Sequence, residues 1–216
     1  MFSKNANVAY APDVVFNLDT SPYVGLPETN NVIISVIDFD KRNSIKEYRI
    51  SYEKYIKDCC VDIIKKGCTP VLMSFCKAEG DEVAIDRIYE QLPENLKLSV
   101  QKYFYDGNIG NILEYISSSK YIIGTRFHSM ILAIVFNKPF YCIAYNKKII
   151  NVLEDLNCDA YVLPETLEEI NANELFVKYS KPLVANDYMR EAENQFLLFE
   201  QYLKNEFTLK RRDNDT

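Results

Sequence analysis

The chain has 216 residues, 48% of them hydrophobic and 26% charged, with a net charge of −6. This is globular composition; the acidic balance argues against a general nucleic-acid binder, and no stretch approaches the ~20 apolar residues that span a bilayer. The N-terminus MFSKNANVAYAPD lacks both the basic start and the apolar run of a secretory signal, so a cytoplasmic location is expected.

From about Asn31 onward, strand-length apolar runs alternate with helix-length amphipathic segments. Val32–Ile37 (VIISVI) is apolar almost throughout, as a strand buried on both faces should be. Tyr48–Lys66 reads as a helix with Tyr52, Tyr55, Ile56, Cys59 and Ile63 on one face, and Gly67 as its stop. Pro70 precedes a strand over Val71–Cys76; Asp81–Leu92 is a helix capped by Gly80 or Asp81, and Lys97–Gln101 a weaker strand. Next come a helix over Asn111–Ser118, a short strand over Tyr121–Gly124 and a very apolar helix over Arg126–Asn137. Strands at Phe140–Ala144 and Ala160–Leu163 enclose a helix at Lys147–Leu156, and helices at Leu167–Lys178 and Val184–Glu206 close the pattern.

This alternation predicts right-handed crossovers and a doubly wound, mostly parallel, Rossmann-like sheet of about six strands, with Val32–Ile37 central. The expected division is a lead-in segment over 1–30, one α/β domain over 31–209 and a disordered tail over 210–216. The basic cluster Lys210-Arg211-Arg212 falls in that tail and reads as solvated. None of the six cysteines forms a C-x-x-C pair, and the one histidine lies far from any of them in sequence. Free buried thiols are therefore expected, and no metal site.

Ligands of open parallel sheets bind at the carboxyl ends of the strands, in loops that feed helix N-termini. There is no G-x-G-x-x-G and no phosphate-cradling G-x-x-x-x-G-K-[ST]; Gly107-Asn108-Ile109-Gly110 is a turn-like echo of such loops. Gly124-Thr125-Arg126-Phe127-His128-Ser129 instead closes a strand and opens a helix. Gly124 permits a tight turn and Thr125 is a good N-cap. Arg126 and His128 then fall in the first helical turn, where backbone N–H groups and the dipole favour an anion. An arginine fork adds bidentate recognition of carboxylate or phosphate. The plain alternative is a salt-bridged arginine and a capping or core histidine. Against it, cations in a first turn oppose the dipole, and this one holds no Asp or Glu.

The segment Tyr121–Leu156 resembles the C-terminal signature of the polysaccharide pyruvyltransferase family: a strand, G-x-R-x-H, an apolar helix, a Pro-led strand, then Y-x-x-K. Here these are Gly124, Arg126, His128, Pro139, Tyr145 and Lys148. Ala11-Pro12-Asp13-Val14-Val15-Phe16 resembles the segment that leads into this half of the family fold. The resemblance implies one lobe of a two-lobed, glycosyltransferase-B-like fold. It implies transfer of enolpyruvate from phosphoenolpyruvate to a sugar diol, giving a cyclic ketal on a cell-surface glycan, with no cofactor. Arg126 and His128 would be the catalytic pair, with Gly124, Thr125, Ser129, Tyr145, Lys148 and Arg42 at the substrate. Arg42 is the nearest match to a second family arginine, but Asp38 and Asp40 beside it favour a plain solvent-facing loop. Glu79 and Asp81 suit sugar hydroxyls, and helix capping explains Asp81 equally well. Tyr145 and Lys148 read otherwise as a core edge and a surface lysine.

The expected partners are a small anion and a sugar acceptor, with neither nucleic acid nor an integral membrane segment. The resemblance makes the chain enzymatic only with an N-terminal lobe supplied. The apolar face of Val184–Glu206 (Met189, Phe196, Leu197, Phe199, Leu203) should fold onto its own domain or, the favoured outcome, pair with a second copy. Two other functions fit the pattern. One is a nucleotide-sugar glycosyltransferase lobe, with Asp155 or Glu165 for a ribose. The other is a non-catalytic anion-binding or assembly subunit.

Overall fold

The computed structural model describes residues 11–172, 181–197 and 199–204. They fall into two compact units, one over Thr20–Val184 and one joining the described parts of Met1–Asp19 and Ala185–Thr216.

The larger unit is a parallel α/β sandwich. Among its described residues, the strands are β1 (Asn31–Ser35), β2 (Thr69–Met73), β3 (Gln101–Tyr103), β4 (Tyr121–Gly124), β5 (Phe140–Ile143) and β6 (Tyr161–Val162). They pair in the order β3-β2-β1-β4-β5-β6, every pair parallel. The predicted Rossmann-like sheet is therefore present, and the run that begins at Val32 is interior to it. Val32, Ile33 and Ile34 are wholly buried, as a strand covered on both faces requires. The order reverses between β1 and β4, and the carboxyl ends at such a switch point are the usual ligand position in this architecture.

The helices of this unit are α1 (Arg49–Lys65), α2 (Asp81–Glu90), α3 (Glu94–Lys97), α4 (Ile109–Ser118), α5 (Phe127–Val135) and α6 (Lys147–Asp155). In α1, Tyr52, Tyr55, Ile56, Cys59 and Ile63 are buried together, the face that their spacing predicts. Burial also raises the Cys60 thiol to about 12 and pushes Cys59 upward. Apart from His128, every residue of α5 is buried, which explains a sequence apolar all round.

Three boundaries differ from expectation. Lys97–Gln101 is not a strand: Pro93 opens a turn, closed by the Leu96 N–H donating to its carbonyl at 2.8 Å, and α3 occupies Glu94–Lys97. β3 begins only at Gln101, where pairing with Val71 starts. Where a helix was expected from Leu167, a 3-10 turn at Pro164–Thr166 runs into further turns, and 173–178 lies outside the described residues. The long helix of Val184–Glu206 is regular over Asn186–Glu193 and tightens into a 3-10 turn at Asn194–Phe196; its end and the predicted tail lie outside the described residues.

That last helix belongs to the smaller unit, where Tyr188 packs against Phe16 with ring centroids 5.4 Å apart. Phe16 sits on a 3-10 turn opened by Asp13, whose carboxylate accepts the Val15 N–H at 3.2 Å. Phe196, Leu197, Phe199 and Leu203 remain exposed. No helix among the described residues is long and apolar enough to cross a membrane.

Candidate functional site

At the carboxyl edge, Gly124 ends β4 and the chain turns into α5. A Cβ at Gly124 would lie 2.9 Å from Ser129 Oγ, so a bare backbone is needed there. The register places Ser35 beside Gly124, and the Ser35 hydroxyl accepts the Arg126 N–H at 3.0 Å. Ser129 donates its hydroxyl to the Arg126 carbonyl at 2.6 Å.

Thr125, expected from sequence to cap α5, does not do so; Arg126 holds the N-cap position and gives no side-chain cap. The Thr125 hydroxyl turns inward to Tyr52 Oη, 3.1 Å away, which also accepts the Ile37 N–H at 3.2 Å. Burial pushes the Tyr52 hydroxyl well above its ordinary pKa. This contact ties the β1 exit, α1 and the β4 turn together, with Phe39 stacked on Tyr52 at 4.0 Å. Tyr52→Phe is expected to cost about 1 to 2 kcal/mol in urea denaturation, because two buried groups lose their partner. Thr125 and Ser129, both almost fully buried, thus shape the turn from inside.

The Arg126 side chain runs back over the sheet edge to the β2 exit. Its Nε donates to Asp81 Oδ2 at 3.0 Å, its Nη2 contacts Asp81 Oδ1, and its Nη1 donates to Glu79 Oε2 at 2.5 Å. Asp81 is fully buried and also accepts the Phe75 and Cys76 N–H groups at 3.0 and 2.9 Å. Asp81 is therefore not an N-cap of α2 but a fixed anchor for Arg126. Burial works against the Arg126 charge, yet its hydrogen bonds to Asp81 and Glu79 outweigh it and hold the guanidinium protonated.

Arg42 reaches the same place from the β1 loop. Its Nη2 pairs with Glu79 Oε2, and its guanidinium carbon lies 5.1 Å from the centroid of the Tyr145 ring. The loop does face solvent, as expected, with Asp40, Lys41, Asn43 and Ser44 exposed, but the Arg42 side chain turns back to the site. Asp38 and Asp40, which were expected to oppose an anion, are engaged elsewhere: Asp38 with Arg87 at 2.7 Å and Asp40 with Arg49 at 3.2 Å. Arg42 Nε is buried with no hydrogen-bond partner among the described residues. Glu79 is held below the usual carboxylate range, first by its hydrogen bond to Arg126 and then by the two positive charges. Its ion pairing is present at neutral pH and fades as pH falls through that lowered range.

His128 is exposed on the first turn of α5, its ring edge-on to Phe127 at 5.3 Å. Lys148, near the start of α6, places its Nζ 3.6 Å from the centroid of the same Phe127 ring. The structure thus gathers Arg42, Arg126, Tyr145, His128 and Lys148 at one sheet edge, through Glu79 on one side and Phe127 on the other. Sequence reasoning had left Glu79 and Asp81 outside the main site. A pocket of about 300 Å³ opens at this edge, lined by Tyr48, Tyr145, Asn146 and Glu165 among others.

A sequence model of the family described as Polysaccharide pyruvyl transferase matches residues 1–147. The match takes in Arg42, Glu79, Asp81, the turn Gly124–Ser129 and Tyr145, and ends one residue before Lys148. No curated protein matches the chain. Among solved structures, it is similar to a UDP-GlcNAc 2-epimerase from Methanocaldococcus jannaschii, at 14% identity over 78% of this chain and 45% of that one, with a TM-score of 0.45. It is also similar to α,α-trehalose-phosphate synthases (UDP-forming) from two Burkholderia species. For B. vietnamiensis the identity is 10%, over 90% of this chain and 47% of that one, with a TM-score of 0.46. For B. xenovorans, in complex with glucose-6-phosphate, the identity is 10% over 92% and 50%, with a TM-score of 0.46. The chain spans about half the length of these structures.

Proposed function

The chain belongs to the polysaccharide pyruvyl transferase family, and from that membership we propose that it is the donor-binding part of an enzyme moving pyruvate from phosphoenolpyruvate onto two hydroxyls of a glycan sugar. The convergence of Arg42 and Arg126 on Glu79, beside the N-terminus of α5, carries this assignment. Phosphoenolpyruvate bears a carboxylate and a phosphate. Two guanidinium forks and the first-turn N–H groups of a helix are the groups that bind such a pair.

The chemistry follows from the placement. One sugar hydroxyl adds its oxygen to C2 of the enol and gives up its proton to solvent, while the methylene carbon takes a proton and becomes a methyl. The C2–O bond to phosphate then breaks, phosphate leaves, and the second hydroxyl attacks C2 and loses its proton, closing the ketal. His128, exposed beside the anion position, is assigned the proton delivered to the methylene carbon. The first-turn N–H groups of α5 stabilise the charge on the departing phosphate, while Arg126 and Arg42 hold the donor's carboxylate. In this scheme the acceptor approaches from the pocket at Tyr145, and the far wall of the cleft comes from a second lobe.

Calorimetric titration with phosphoenolpyruvate tests the assignment. Arg42→Ala and Arg126→Ala are each expected to weaken binding by about 1.5 to 3 kcal/mol, the range for a hydrogen bond to a charged group. Arg42→Ala is the cleaner variant, since its partner Glu79 is half exposed, whereas Arg126→Ala orphans buried Asp81. Equal affinity in the wild type and both variants refutes the donor site.

One observation favours a second function. Glu165 sits in the 3-10 turn that follows β6 and lines the edge pocket, where a carboxylate would bind a ribose in a nucleotide-sugar glycosyltransferase lobe. Binding of UDP that depends on Glu165, with no binding of phosphoenolpyruvate, would select it.

A further inference from the structure

The two carboxylates that hold Arg126 differ in kind. Asp81 is wholly buried and also bonds the backbone, so it is a permanent partner of Nε and Nη2. Glu79 is 47% exposed, bonds Nη1 alone, and shares the same oxygen with Arg42. It stands on a three-residue 3-10 turn, Lys77–Glu79, that ends at Gly80 with φ +86°. Exposed ion pairs of this kind are weak enough to be exchanged. Around it, Arg42 is laid against the Tyr145 ring and keeps a buried Nε with no hydrogen-bond partner among the described residues. A single carboxylate oxygen between two guanidinium groups leaves hydrogen-bonding capacity unused, whereas a bidentate ligand would take more of it.

Resting on the donor assignment above, we propose that Glu79 is an internal stand-in for the donor's carboxylate. Arg42 and the outer nitrogen of Arg126 form the carboxylate seat. Glu79 fills it in the free protein and leaves when the donor enters. The donor's phosphate then lies toward the first turn of α5 and His128. This orientation sets specificity: the arginine pair selects for a carboxylate, and a plain phosphate gains nothing from the displacement of Glu79.

The test titrates the full chain and its Glu79→Gln and Glu79→Ala variants with phosphoenolpyruvate, pyruvate and inorganic phosphate. Thermal denaturation checks that both variants keep the wild-type fold, as a half-exposed side chain allows. Both variants are expected to bind phosphoenolpyruvate and pyruvate about fivefold more tightly, and inorganic phosphate within about twofold of wild type. Weaker binding of both carboxylates would make Glu79 a support for the arginines and overturn the proposal. So would an equal gain for inorganic phosphate, which would mark a general effect of lost negative charge. The two assignments fail separately. If phosphoenolpyruvate does not bind but pyruvate gains in the variants, the donor assignment falls and the carboxylate seat stands. If phosphoenolpyruvate binds the wild type with no gain in the variants, the seat falls and the donor assignment stands.

Discussion

Asp81→Ala is expected to lower the free energy of unfolding by about 3 to 5 kcal/mol, the cost of removing one partner from a buried ion pair. The carboxylate is wholly inaccessible and receives two backbone N–H groups as well as two nitrogens of Arg126. Without it, the Phe75 and Cys76 N–H groups lose their acceptor, and Arg126, whose side chain is 12% exposed, keeps only Glu79. Asp81→Asn retains one acceptor oxygen for the backbone but loses the charge and the second acceptor, so an amide NH2 faces the Arg126 guanidinium; its loss should be about 2 to 3 kcal/mol. Urea denaturation of the single variants and of the Asp81→Ala/Arg126→Ala double variant separates the contributions. The double variant should lose less than the sum of the singles, because removing both partners leaves no orphaned charge. A loss below about 1 kcal/mol for Asp81→Ala would mean that water reaches the site and solvates Arg126 instead.

The same residues show where sequence reasoning reaches and where it stops. β1 and β4 were legible because VIISVI and YIIG are apolar on both faces, a pattern that strands interior to a parallel sheet must carry. The turn at Gly124 was legible because a strand, a glycine and an apolar helix follow without a break. The partners of that turn were not. Thr125 has the chemistry of a cap, but Tyr52, 73 positions away, takes its hydroxyl once α1 packs on the sheet. Arg42 looked neutralised by its acidic neighbours, yet Asp38 faces Arg87 and Asp40 faces Arg49, so its own charge is left for the site. Glu79 lies 37 positions from Arg42 and 47 from Arg126. Parallel topology brings the exits of β1, β2 and β4 to one edge, and no local pattern encodes that meeting. β3 was misplaced for a different reason: three residues, two of them exposed, carry too little apolar signal to outweigh the helical turn before them.

Gly80→Ala is expected to cost about 2 to 5 kcal/mol, from left-handed backbone strain of about 1 to 2 and overpacking of about 1 to 3. The residue has φ +86°, and a Cβ there would stand 2.7 Å from Asp38 Oδ2 and 3.0 Å from Asp38 Cβ. Asp38 has little room to yield. It is 2% exposed, holds Arg87 at 2.7 Å and accepts the Asp40 N–H at 3.1 Å. Gly67 supplies the control: its φ is +73°, but a Cβ would meet nothing within 4 Å. Gly67→Ala should therefore show the backbone strain alone, roughly 1 kcal/mol. The difference between the two variants in urea denaturation measures the contact with Asp38. Equal losses would mean that Asp38 relaxes freely and that the Arg87 pair does not hold it. Because Gly80 joins Glu79 to Asp81, any shift that relieves the clash moves both carboxylates of Arg126. Gly80→Ala should thus weaken phosphoenolpyruvate binding as well, whereas Gly67→Ala, at the far end of α1, should leave it unchanged.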